Sequence, residues 1–137
     1  MTRAPAPRPS RPRHLLVVDD EPHIGLLLRP ELESRGFQVS LARSLTDAKA
    51  SLTGVDALLL DLHLPDGSGM EFLRELRGRP ATRDLPVLVL TGEGGDRVIE
   101  EARRLGAGLL TKPFSPTKLA ARLTTLVGEL GAAGDAP

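Results

Sequence analysis

Four short apolar runs in the 137-residue sequence end in side chains able to do chemistry. Leu15–Val18 ends in Asp19-Asp20-Glu21, and a second run ends in Asp61. A third ends in Thr91, and the last leads through Thr111 to Lys112-Pro113. If these ends meet, the carboxylates repel one another and raise each other's pKa unless a cation sits among them. The absence of Cys and of paired His leaves an all-oxygen set, which suits Mg²⁺. A lone acidic strand end is ordinarily a solvated cap. Several converging on one edge, with a hydroxyl and an ammonium beside them, are not explained that way.

The elements that would bring them together follow from periodicity. Residues 22–35 place Ile24, Leu27, Leu28 and Leu32 on one helical face, with Gly36 as the residue after its end. Pro30 lies inside that helix and should kink it, at about 3 kcal/mol if nothing compensates. Phe37–Leu41 reads as a strand, and Ser44 could cap a helix running to about Leu52. Val55–Leu60 is a buried strand, and Glu71–Arg77 is a helix carrying Phe72, Leu73 and Leu76. Pro86–Leu90 is a strand, followed by a helix with Val98, Ile99, Ala102 and Leu105. A strand near Gly108–Thr111 precedes a last helix with Leu119, Leu123, Leu126, Val127 and Leu130.

Five strand–helix units in strict alternation, with continuously apolar strands, imply α/β architecture with a parallel sheet covered on both faces. Right-handed crossovers favour a doubly wound layout, and ligands in such sheets bind beyond the carboxyl ends of the strands. Periodicity alone leaves the strand order open.

The strings Leu15-Leu-Val-Val-Asp-Asp-Glu-Pro22, Leu58-Leu-Leu-Asp-Leu-His-Leu-Pro-Asp-Gly-Ser-Gly69, Val87-Leu-Val-Leu-Thr91 and Leu110-Thr-Lys-Pro-Phe114 resemble the receiver domain of two-component response regulators. The resemblance spans about residues 14–130 and implies a flavodoxin-like (βα)5 fold with strand order 2-1-3-4-5. It implies that Asp61 is the phosphoacceptor, a carboxylate nucleophile that becomes an acyl phosphate. Mg²⁺ would be held by Asp19, Asp20, Asp61 and the backbone carbonyl of His63. Lys112 would pair with a phosphoryl oxygen, and Thr91 would move towards the phosphate as the switch. Lys112 is one of three Lys among fifteen Arg, in keeping with a site that needs a compact point charge. The Lys112–Pro113 bond resembles a cis peptide of the family.

The implied donor is a sensor histidine kinase or a His phosphotransfer protein, and the implied output is contact with a further protein. Phosphorylation-dependent dimerisation is compatible with this. His63 and Glu93, two residues beyond Asp61 and Thr91, are expected to tune loss of the phosphate, as a gate over it or as mere solvent-facing side chains. One departure concerns the switch. In many receivers an aromatic residue stands three positions before the Lys, and here that position is Leu109. The segment from Gly106 to Lys112 is also one residue shorter than the usual pattern.

Composition bounds the alternatives. Hydrophobic residues make up 40 % and charged residues 26 %, ordinary values for one globular domain. Net charge is zero, so nothing in the total points to nucleic acid or membrane. Residues 1–13 hold four Arg, four Pro and no acid, and read as a disordered tail. Residues 14–130 are expected to form the domain and 131–137 a second disordered tail. No apolar run suits a secretory signal or a membrane span, so the default compartment is the cytosol. No output domain follows residue 130, which suggests a stand-alone receiver rather than an enzyme. A haloacid-dehalogenase-type hydrolase would need a second Asp at position 63, where His stands. A degenerate receiver used only for binding sits poorly with the complete Asp, Thr and Lys set.

Overall fold

The computed structural model describes residues 13–92, 95–112 and 114–135. Residues 1–12 of the expected tail, together with Glu93, Gly94, Pro113 and residues 136 and 137, therefore lie outside the described residues. So do the Lys112–Pro113 peptide and the side chain of Leu130.

The elements alternate as anticipated. They are β1 (Arg13–Val18), α1 (Pro22–Ser34), β2 (Phe37–Ala42), α2 (Leu45–Ala50), β3 (Ala57–Asp61) and a two-strand hairpin, β4 (His63–Leu64) with β5 (Gly67–Ser68). Then come α3 (Gly69–Arg77), β6 (Val87–Thr91), α4 (Asp96–Arg104), β7 (Gly108–Thr111) and α5 (Pro116–Asp135). The main sheet is parallel in the order β2-β1-β3-β6-β7. With the hairpin set aside, that is the 2-1-3-4-5 order implied by the resemblance.

Alternation of side chains lets each central strand serve both faces. Leu15, Val17, Leu59 and Leu90 point towards Leu28, Leu32, Leu119 and Leu123 of α1 and α5. Leu16, Val18, Leu58, Leu60 and Val89 point towards Leu45, Leu73, Leu76 and Ala102 of α2, α3 and α4. Each fully buried Leu contributes about 1.5–3 kcal/mol of burial, so the aliphatic core on both faces holds the strand ends in fixed register. α4 is the least embedded helix, with Ala102 as its buried residue.

Several local readings need correction. Leu27 is 57 % exposed and does not belong to the core stripe. At about 100° per residue, Ile24, Gly25, Leu28 and Leu32 cluster on one side, and position 27 falls well outside them. Pro30 lies inside α1 as expected, and that helix runs from Pro22 to Ser34. The first strand starts at Arg13, inside the expected tail. α5 continues to Asp135, past the boundary set at 130; the Ala132-Ala133 pair favours helix and offsets the cost of the flanking glycines. α3 begins at Gly69 rather than Glu71, because Ser68 is its N-cap and accepts from the Glu71 N–H at 3.4 Å. Ser44 caps α2 as expected, accepting from the Asp47 N–H at 3.1 Å.

Candidate phosphoacceptor and metal site

The four chemistry-bearing ends do converge. Asp19 follows β1, Asp61 closes β3, Thr91 closes β6 and Lys112 follows β7, all on the carboxyl edge of the sheet. Ligand oxygens of Asp19, Asp20 and Asp61 lie within 4.8 Å of one another. Asp19 and Asp61 are buried and Asp20 is exposed, so two acids form the floor and the third faces solvent.

Hydrogen bonds fix the floor. The Asp19 N–H donates to the Ala42 carbonyl at 3.0 Å, pinning it to the end of β2. Asp19 Oδ1 accepts from the Glu21 N–H at 2.9 Å. Asp61 Oδ1 accepts from the His63 N–H at 3.1 Å, and Oδ2 accepts from Lys112 Nζ at 3.2 Å. Lys112 Nζ is also 4.0 Å from Glu21 Oε1. Its backbone N–H donates to the Thr91 carbonyl at 2.8 Å, joining the ends of β6 and β7. Thr91 itself is buried. His63 is exposed and, with Thr91 and Arg97, lines a cleft of about 560 Å³ between the hairpin and α4.

Burial raises the Asp19 carboxyl to about 6. The Glu21 N–H works against this shift, the Asp61 charge adds to it and Lys112 opposes it. Asp19 Oδ2 is buried with no hydrogen-bond partner among the described residues. An acceptor oxygen left alone in a cluster of acids is costly, and a divalent cation removes that cost. The donor set is all oxygen, so the residues present fit Mg²⁺.

Two features escaped the sequence reading. The first is Gly69, whose Cα approaches so closely that a Cβ there would sit 2.5 Å from the Asp61 carbonyl oxygen and 2.9 Å from Leu62 Cα. The Gly69 N–H also donates to the Leu62 carbonyl at 3.0 Å. The second is the Asp66 side chain, which stands in the turn of the β4–β5 hairpin and reaches the start of α2. Neither contact has a periodic signature, since each joins two different segments rather than neighbours on one element. Leu109, at the position of the missing aromatic, is half-buried and packs on the α2–α3–α4 side of the sheet.

The comparisons with known proteins agree with this geometry. The family model described as the response regulator receiver domain matches residues 15–124, and the chain belongs to that family. It is 38 % identical over 120 residues to the phosphate regulon transcriptional regulatory protein PhoB of Escherichia coli (strain K12), covering 84 % of this chain and 52 % of the relative. It thus spans about half the length of the curated relatives it matches. A putative response regulator from Chloroflexus aurantiacus superposes with TM-score 0.78 at 31 % identity, covering 86 % of this chain and 99 % of that one. The chemotaxis response regulator CheY4 of Vibrio cholerae gives TM-score 0.74 at 30 % identity, covering 83 % and 98 %. Receiver domains bind Mg²⁺ at an acidic pocket and act as phosphoacceptor switches. Among the described residues, no helix is long and apolar enough to cross a membrane.

Proposed function

We propose that this receiver domain takes a phosphoryl group onto Asp61 from a phosphohistidine donor, in a reaction that depends on Mg²⁺. One observation carries the reading. Asp61 is at once a member of the three-carboxylate cluster and the partner of the Lys112 ammonium at 3.2 Å.

Asp19, Asp20, Asp61 and the carbonyl of His63 would hold the cation. When bound, it neutralises charge on the phosphoryl oxygens. The chain's own work is positional. The His63 N–H and Lys112 hold the Asp61 carboxylate in one orientation, and Lys112 presents its charge to an incoming phosphoryl oxygen. An Asp61 oxygen bonds to phosphorus as the P–N bond of the donor imidazole breaks, and the electron pair stays on that nitrogen. There is little covalent chemistry for the protein beyond this.

In the phosphorylated state, the Thr91 hydroxyl reaches a phosphoryl oxygen and draws in the loop that leads to α4. The weak embedding of α4 supports that element as the part that responds. With Leu109 in place of an aromatic rotor, the response runs through the α4, β7 and α5 face without a ring to report it. That face is read by an output protein.

The test is intact-mass analysis after incubation with acetyl phosphate, with and without Mg²⁺. The wild type gains one phosphoryl group only when Mg²⁺ is present, and Asp61→Asn gains none. Equal labelling of Asp61→Asn would contradict the reading.

A further inference from the structure

The hairpin that follows Asp61 is held at its tip by contacts with another element. Asp66 Oδ1 accepts from the Leu45 N–H at 2.8 Å. Its Oδ2 accepts from the Thr46 N–H at 3.0 Å and from Thr46 Oγ1 at 2.9 Å. Asp66 therefore satisfies the first two N–H groups of α2, and Ser44 satisfies the third. The neighbouring Gly67 comes so near that a Cβ would lie 2.8 Å from Leu45 Cδ1, and its φ of +152° also disfavours a side chain.

These contacts complete a circuit around the carboxylate cluster. Asp19 is tied to Ala42, which leads within three residues into the start of α2. α2 is tied to Asp66. From Asp66 the β4–β5 hairpin returns to His63, whose N–H donates to Asp61. The Asp66 carboxylate closes the circuit between the wall built from β1 and β2 and the wall built from β3 and the hairpin.

We propose that Asp66 is a positioning residue for the metal site, clasping the hairpin to α2 so that the His63 backbone stays beside Asp61. The proposal rests on the Mg²⁺ reading above. The carboxylate suits the task, since charge-assisted bonds to N–H groups at a helix start are short and directional. These same bonds hold its pKa below the usual carboxylate value. Groups that orient metal ligands from behind set affinity nearly as firmly as the ligands themselves.

Mg²⁺ titration followed by NMR on wild type, Asp66→Ala, Asp66→Asn and Ser44→Ala tests this. Ser44→Ala removes the other cap of the same helix and leaves the hairpin alone, so it isolates a merely structural loss. Asp66→Ala should weaken Mg²⁺ binding roughly tenfold or more. Asp66→Asn, which keeps an acceptor oxygen without the charge, should fall between. Ser44→Ala should melt lower than wild type and bind Mg²⁺ unchanged. Wild-type affinity in Asp66→Ala, or equal weakening in Ser44→Ala, would overturn the proposal. If Asp66→Ala does not fold, the comparison of Asp66→Asn with Ser44→Ala decides. A folded wild type that binds no Mg²⁺ would overturn the metal reading itself.

Discussion

Lys112 Nζ lies 3.2 Å from Oδ2 of Asp61, although 51 residues separate the two in sequence. The sheet order makes this possible, because β6 alone stands between β3 and β7 and its last carbonyl anchors the Lys112 backbone. The ammonium is thus in place before any phosphate arrives. It also holds down the repulsion between Asp61 and Asp19.

Removing it has two consequences. Lys112→Ala should lower metal-free stability by roughly 1–3 kcal/mol, less than for a fully buried pair because Lys112 is partly exposed. It should also slow transfer to Asp61 strongly while Mg²⁺ binding persists. Lys112→Arg should not restore transfer, since a planar guanidinium cannot occupy the place of a compact ammonium. Urea melts without Mg²⁺ and labelling with acetyl phosphate check both effects.

Asp19 gives the site a pH dependence. Its carboxyl is raised from 3.8 to about 6, so between those values the native state holds a proton that the unfolded chain has released. Metal-free stability therefore falls as pH rises across that window. Mg²⁺ requires the ionised carboxylate, so its apparent affinity should fall as pH drops below about 6 and level off above it. Calorimetric Mg²⁺ titrations on either side of that pH check the sign. A Kd independent of pH would contradict it.

Gly69→Ala would place a methyl group 2.5 Å from the Asp61 carbonyl oxygen. The obstacle is backbone and cannot swing aside, so the strand end carrying Asp61 must shift. A loss of about 1–3 kcal/mol in chemical denaturation is expected, together with weaker Mg²⁺ binding. A loss below about 0.5 kcal/mol would show that the contact relaxes freely.

His63 borders the cleft that also reaches Thr91. As a gate over the phosphate, it should shield the acyl phosphate from water, so His63→Ala should shorten the aspartyl-phosphate lifetime several-fold. Following decay of the labelled protein by mass spectrometry measures this. Identical decay in both proteins would reject the gate.

Much of this site was legible because its residues sit at the ends of apolar strands. Asp19, Asp61, Thr91 and Lys112 could be placed on one edge once the alternation of strands and helices was recognised. The sheet order was not legible from periodicity and came from the resemblance. Leu27 was misplaced because Leu26, Leu27 and Leu28 are equally apolar, and the stripe is decided by Gly25, which carries no hydrophobic signal. Asp66 and Gly69 went unread for a different reason. Apart from the Thr46 hydroxyl, their partners, the α2 N–H groups and the Asp61 carbonyl, are backbone atoms that any sequence would supply.

Borohydride trapping followed by peptide mapping is the most direct check on the phosphoacceptor, because hydride converts an aspartyl phosphate to homoserine at the labelled position. After Mg²⁺-dependent labelling, homoserine should appear at position 61 and nowhere else. Homoserine at position 19 or 20, or none in a protein that has gained phosphate, would contradict the assignment of Asp61.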